Sequence, residues 1–527
     1  MPNRSKSPAW VLLHTALVIA VTCSLFSGLR IATLSKPAIA SIEELLPQGE
    51  VHSVHFLSAV LLSLVALAYL CSRILRRYQA EQKFGRKPLN YHRVVTWGGI
   101  SLIGVSLASG WLLFSGISKL PLTRTLHFYA ALGLTAYIFL HAGVYLVQFG
   151  QNVLKYILKP AATKRAQLVL LCSFLTIFLM GGWLLLAKFT YYQLPVSTIA
   201  ADTIIDIDGH ANESQWADAD ALEVSTDGGA NFYQGRTDVR LKALQNGEEI
   251  YFHISWQDPT ESLAHLPLIK TDQGWKIQQQ GFEKFDESRY YEDKFALLLS
   301  SHCDFAGAGT AHLGRSPLPG KPANWHGKGY HYSQSGQLHD LWHWKAVRTN
   351  KMYLADDNFI GAPDKVRAGI RRYTAGYQQD GKESGAYLMN WKWYSPDSIT
   401  PKRLPRDTNA LAPFQSFDQE RALDWTISWF DYQPYSTESD QLATGTLMPS
   451  VLYTSNRFEG DRADVRAKGV WHDGFWSLEL VRKLNTASPL DIPIEDGTCL
   501  WVSAFDRAQV AHTRHTRAIQ LNLSKAL

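Results

Sequence analysis

Five apolar runs of membrane-spanning length crowd into the first 190 of 527 residues. They lie at about 9–31, 53–72, 94–115, 126–148 and 167–189. Crossing the hydrocarbon core as a helix takes roughly 20 apolar residues. A spanning segment must also satisfy its own backbone polar groups, which a helix does and an open strand does not. These runs therefore predict an all-α transmembrane bundle of four or five helices over 1–190. Ala38-Ile39-Ala40 has the look of a leader cleavage site, but the first run is long for a leader and holds a histidine. The expectation is that it stays.

Orientation follows from charge. Arg4 and Lys6 precede the first run. Arg73, Arg76, Arg77, Lys83, Arg86, Lys87 and Arg93 lie between the second and third. Lys155, Lys159, Lys164 and Arg165 lie between the fourth and fifth. The opposite loops hold Glu43, Glu44 and Glu50 against Lys36, then Lys119 and Arg124 alone. Basic loops stay inside, so the N-terminus is expected in the cytoplasm. Five crossings then carry everything past 190 outside, to the periplasm if the membrane is a bacterial inner membrane. The net charge of +5 is too small for nucleic-acid binding, and its basic residues cluster in membrane loops. Five cysteines with no Cys-x-x-Cys-His give no indication of covalent c-type haem attachment. Whether Cys303 and Cys499 pair is open at this stage.

Ionisable residues within spans are rare and usually functional. The fourth run holds His127 and His141, 14 residues apart. At about 100° per residue they return to within roughly 40° of one face, separated by about 21 Å of rise. One helix thus offers an imidazole near each membrane surface. With the orientation above, His55 early in the second run matches His127 in depth near the outer surface. His14 early in the first run matches His141 near the inner one. Two bis-imidazole pairs at two depths point to two b-type haems rather than to one metal drawing all four ligands together. Ala59 and Ala131, four residues after His55 and His127, leave room for a flat macrocycle. Arg30, near the outer end of the first run, could pair with a propionate. The rival reading is a histidine that hydrogen-bonds a neighbouring helix. His52 and His92 are read as interfacial residues.

With those residues in view, 8–190 resembles the di-haem cytochrome b subunits of bacterial formate dehydrogenases and nickel–iron hydrogenases. The resemblance rests on His14, His55 and the His127-x13-His141 pair. It implies that these four ligate two haems and that the subunit exchanges electrons with quinone. The fifth run departs from that pattern.

Residues 191–203 read as a linker and 204–527 as an all-β sandwich domain. Val239–Leu244 and Ile250–Ile254 alternate around Asn246-Gly247, and Arg466–Trp471 and Trp476–Val481 flank Asp473-Gly474, so both read as hairpins. Lys294–Leu299, Trp501–Phe505 and Ala518–Leu523 supply further strands. Residues 305–425 are rich in Gly, Pro and polar residues and read as insertions that carry function.

This half resembles the haem-binding domain of the ethylbenzene dehydrogenase gamma subunit and its dimethyl sulfoxide reductase-type relatives. The matching pieces are Asp208-Gly209, Trp216-Ala217-Asp218, Ser255–Thr260, Tyr291-Glu292-Asp293-Lys294, Asp340–Ala346, Leu447-Met448-Pro449, and Gly474-Phe475-Trp476 through Arg482-Lys483-Leu484. The resemblance implies one b haem with methionine and lysine ligands. Where those subunits place their methionine this chain has Gly329-Tyr330-His331-Tyr332, which makes His331 a candidate ligand. Lys345, Met448 and Lys294 are further candidates, and a metal held by His326, His331, His339 and His343 stays open.

The function expected is a membrane-bound b-type cytochrome. It would carry electrons between quinone or quinol in the bilayer and a periplasmic redox protein, on two haems with a third left open. The alternative is a membrane-anchored ligand-binding or sensing module of β-sandwich type. An enzyme in its own right ranks lowest, because no nucleophile constellation, phosphate-cradling loop or molybdenum-cofactor motif is evident.

Overall fold

The computed structural model describes residues 8–33, 51–81, 90–115, 121–150, 190–280, 289–303, 337–361, 377–379, 387–391, 398–408, 424–455, 460–515 and 517–523, with a few single positions between. The chain divides into two compact units, Met1–Tyr191 and Tyr192–Leu527.

The first unit contains α1 (Pro8–Thr33), α2 (Val51–Glu81), α3 (Asn90–Phe114) and α4 (Pro121–Phe149). Each covers one of the first four apolar runs, and each contains a stretch long and apolar enough to cross a membrane. The fifth run lies outside the described residues. Two of these helices open on proline, whose fixed φ suits the first helical position and whose missing N–H costs nothing there. α1 packs along α2 and α3 along α4, and α1 also touches α4. Ala20, Val21, Leu62 and Leu134 are buried at the centre, with Leu17, Leu61, Leu102 and Tyr137 around them. Outward-facing Val18, Ile19, Leu64, Leu67, Leu132, Phe139 and Leu140 are exposed. A helix apolar on every side belongs in a core or in lipid, and these outer faces are exposed among the described residues.

The second unit is a β-sandwich. One continuous path of hydrogen-bonded strands runs Tyr377–Gln379, Asp356–Ile360, His339–Lys345, Lys294–Ser300, Cys499–Phe505, Ile519–Asn522, Tyr192–Thr198, Arg236–Gln245, Glu249–Gln257, Phe475–Lys483, Arg466–His472. Leu222–Asp227 pairs beside Arg236–Gln245. The path folds into two leaves at Tyr192–Thr198. Tyr192–Pro195 pair with Ile519–Asn522, while Val196–Thr198 pair with Ala243–Gln245. The stretch expected as linker is thus the strand that joins the leaves. Between the leaves Val239, Phe252, Ile254, Trp256, Leu478 and Leu480 meet Phe295, Leu297, Trp342, Trp344, Leu500 and Val502.

The two hairpins form where the sequence places them. Gln245 pairs with Ile250 across Asn246-Gly247, and His472 pairs with Phe475 across Asp473-Gly474. Gly247 has φ +94°, and Asp473 and Gly474 have φ +49° and +85°, the positive values that a tight hairpin turn requires. At Gly469 a Cβ would lie 2.5 Å from Cζ2 of Trp344. The missing side chain leaves room for that indole against the strand. Cys303 is joined to Cys499, with Cα atoms 5.2 Å apart, which answers the question the sequence left open.

Candidate functional site

The helical unit brings His55 of α2 and His127 of α4 together, their ring centres 6.2 Å apart and their planes crossed at 88°. Two imidazoles that face a common metal through bonds of roughly 2 Å sit at about this separation. Each ring is held at Nδ1. His55 Nδ1 lies 3.1 Å from the Ser24 carbonyl and 3.2 Å from the Ser27 hydroxyl. His127 Nδ1 lies 3.0 Å from the Ser106 carbonyl and 3.0 Å from the Ser109 hydroxyl. A carbonyl can only accept, so each Nδ1 carries the proton and donates it. The lone pair is then left on Nε2, the nitrogen each ring would offer to a metal.

His14 lies in the second turn of α1, half-buried, and His141 lies in the fourth helix, also half-buried. Tyr137 stacks on His141 at 5.6 Å with ring planes 18° apart, and Tyr145 packs on it at 5.0 Å, one turn to either side. Gly99 of α3 makes room for this: a Cβ there would lie 2.6 Å from the Tyr137 hydroxyl. Arg30 is buried in the last turn of α1, where its charge suits the helix C-terminus, and donates to Thr33 Oγ1 at 3.2 Å.

In the β unit, Lys345 lies in a buried ionic layer. Lys345 donates to Asp356 and to the Tyr387 hydroxyl at 3.1 Å. Burial brings its ammonium down to about 8 despite that partner. Burial alone would raise the Asp356 carboxyl, but Lys345 and Arg462 hold it well below the ordinary range. Met448 is fully buried beside Leu268, Trp275 and Leu452. His331 and His326 lie outside the described residues. His339 and His343 share the strand His339–Lys345. His343 stacks 5.5 Å from Phe505, and its Nε2 is buried with no hydrogen-bond partner among the described residues. Burial first, and then the charges of Lys345 and Lys294, drive its basicity far below normal. Lys294 donates to the Gln509 carbonyl at 3.0 Å and sits 4.0 Å over the Phe505 ring.

Sequence reasoning missed the buried acids that hold this unit together. Glu292 accepts from the backbone N–H groups of Val347 and Arg348 at 2.6 and 2.9 Å and from the Arg348 side chain. Glu479 accepts from Gly209 N–H, Asp208 N–H and the Trp216 indole at 2.8, 3.1 and 3.0 Å. Arg482 is fully buried against Asp340, with carboxylates of Asp357 and Asp491 at 3.9 and 3.8 Å. Each of these residues lies in or beside a segment that the sequence singled out, so the signal was visible and its meaning was not. Charges so seldom buried unless paired mark obligatory partners in space.

Fold and site together define a class: a bundle of membrane-length helices carrying facing histidines, joined to a β-sandwich with a dense ionic interior. Residues 213–517 match the ethylbenzene dehydrogenase family, and the chain belongs to it. No curated protein matches the sequence. Among solved structures, a family 9 carbohydrate-binding module from Caldicellulosiruptor kristjanssonii in complex with cellotriose is similar at 9% identity. It covers 63% of this chain and 95% of its own, with a TM-score of 0.23. The same module in complex with glucose gives 8% identity, 63% and 97% coverage and a TM-score of 0.23. Likeness at that level carries no functional argument.

Proposed function

We propose that this chain is a membrane-bound b-type cytochrome that passes electrons between the quinone pool and a periplasmic redox partner. The observation that supports it most is the His55–His127 pair. Two rings on separate helices meet with centres 6.2 Å apart, each with Nδ1 committed to a neighbouring helix, which leaves the Nε2 lone pair for a metal. Two histidines joined by a hydrogen bond from one Nδ1–H would not both have that proton committed to other helices. His55 and His127 would thus hold one b haem, and His14 and His141 a second, with Arg30 for a propionate. A b haem, when bound, supplies reversible one-electron chemistry.

The protein's own part is orientation and exclusion of water. Ser24, Ser27, Ser106 and Ser109 hold the outer rings, and Tyr137 and Tyr145 brace His141. For a third haem in the β unit, the residues that support the reading are His343, whose Nε2 has no partner among the described residues, and the neighbouring Lys294. Lys345 and Met448 would have to leave Asp356 and an apolar core respectively. The Cys303–Cys499 bond supports an oxidising, hence periplasmic, setting for this unit. The test is a reduced-minus-oxidised absorption spectrum of the purified protein. A b-type band is expected, and its absence ends the reading.

A second reading, a membrane-anchored ligand-binding module, has one observation in its favour. An open cavity of about 660 Å³ on the sandwich is lined by Arg240, His253, Ser255, Gln257, Phe475 and Ser477. Under that reading, alanine at His55, His127, His14 and His141 leaves the protein's function unchanged.

A further inference from the structure

The segment Ser24-Leu25-Phe26-Ser27-Gly28 of α1 reappears in α3 as Ser106-Leu107-Ala108-Ser109-Gly110. Each copy faces a histidine on the following helix, and in both that histidine is followed by phenylalanine, His55-Phe56 and His127-Phe128. The copies do the same three things. The first serine supplies a carbonyl to Nδ1, that of Ser24 at 3.1 Å and that of Ser106 at 3.0 Å. The second serine supplies its hydroxyl oxygen, Ser27 at 3.2 Å and Ser109 at 3.0 Å. The glycine supplies space: a Cβ at Gly28 would lie 2.8 Å from His55 Cε1, and one at Gly110 3.1 Å from His127 Cε1.

A serine in a membrane helix commonly bonds back to its own turn and needs no other role. Here that back-bond decides the direction of the other one. Ser27 Oγ donates to the Cys23 carbonyl at 2.5 Å, and Ser109 Oγ donates to the Val105 carbonyl at 2.6 Å. With its one proton spent four residues back, each hydroxyl can only accept from the imidazole. Each Nδ1–H therefore meets two acceptors, a carbonyl and a hydroxyl, and neither contact tolerates the other tautomer.

We propose that Ser27 and Ser109 are paired positioning residues that set the redox potential of the iron held between His55 and His127. The proposal rests on the haem reading above. An Nδ1–H that donates to two acceptors makes the imidazole a stronger electron donor at Nε2, as outer-shell partners of ligating histidines do. A stronger donor favours the ferric over the ferrous state and lowers the potential. The duplicated motif applies this pull from both sides of one metal.

The test uses the full-length protein in detergent, with spectroelectrochemical titration of wild type, Ser27→Ala, Ser109→Ala, the double variant and Ser27→Thr. Each alanine is expected to favour the reduced state about three- to tenfold, raising one midpoint potential by up to about 59 mV for a one-electron couple. The double variant should raise it further, and the second potential should stay put. Ser27→Thr keeps the hydroxyl and should restore the wild-type value. Ser27→Ala and Ser109→Ala lie on different helices, so either alone carries the test if the other fails to accumulate. A wild-type protein without low-spin haem bands overturns the haem reading and this proposal together. Bands present in wild type, with potentials unmoved or lowered in the alanine variants, overturn this proposal alone. Haem loss with an unchanged potential in what remains also overturns it, since that is a purely structural role.

Discussion

Arg482→Met should destabilise the β unit strongly at pH 8 and weakly at pH 5. The guanidinium is fully buried, ion-paired to Asp340, and donates to the Ile492 carbonyl at 2.8 Å. It also lies 4.9 Å from the centre of the Trp342 ring. Oxygens of Asp340, Asp357 and Asp491 all lie within 4.8 Å of one another around it. Removing the cation leaves these acids facing each other. At an effective dielectric of about 20, one such carboxylate pair repels by about 3.5 kcal/mol. Breaking a buried ion pair from one side costs about 3–5 kcal/mol by experience elsewhere, so the two routes agree on roughly 4 kcal/mol. Protonation offers an escape. Asp464 hydrogen-bonds Asp357 in the same group and is already pushed up to about 7 by burial, and Asp340 is raised by burial despite Arg482. Without the arginine these acids take up protons more readily still, so the loss should shrink as pH falls. The assay is urea unfolding of the full-length protein followed by tryptophan fluorescence, to which Trp342 contributes directly. A loss below about 1 kcal/mol at pH 8, or one equal at both pH values, refutes the electrostatic account.

Other outcomes follow from the same interior. Burial raises Asp258 to about 8 and Glu479 to about 7. The native state therefore holds protons that the unfolded chain releases near 4, and the stability they confer is lost as pH rises through 7–8. Burial lowers His253, His265, His339 and His515 to about 4, so stability is also lost as pH falls from 6.5 toward 4. Thermal melts of the β unit's transition between pH 5 and 8 should peak near 6–7, and a melting temperature still climbing at 8 contradicts the assignment. Gly469→Ala drives a methyl into the Trp344 indole, which Trp476 packs at 4.9 Å, and should cost about 1–3 kcal/mol in urea unfolding. Cys303→Ser opens a cross-link spanning 196 residues and should cost about 2–5 kcal/mol, with reductant giving the wild type the same melting temperature.

What could be read from the sequence was what repeats locally. Four apolar runs became α1 to α4 because length and composition suffice to define a span. Asn246-Gly247 and Asp473-Gly474 became hairpin turns because positive φ leaves few residue choices. Less legible were features made by distant partners. Tyr192–Thr198 looks like a linker, with Pro195 in its middle, yet it pairs with strands some 50 and 325 residues away in the chain. Glu292, Glu479 and Arg482 look like surface charges until the fold surrounds them. Ser27 and Ser109 look like small residues suited to helix packing, and only the placement of their protons gives them a further role.

The account turns on His55 and His127 sharing one iron, and a haem count decides it. Haem per polypeptide should be measured by pyridine haemochrome in wild type, His55→Ala and His127→Ala, each purified in detergent. Each single variant should lose one b haem, and it should be the same low-potential component of the redox titration in both. Wild type without haem, or variants that keep the full complement, would mean that the two imidazoles face each other for some other reason.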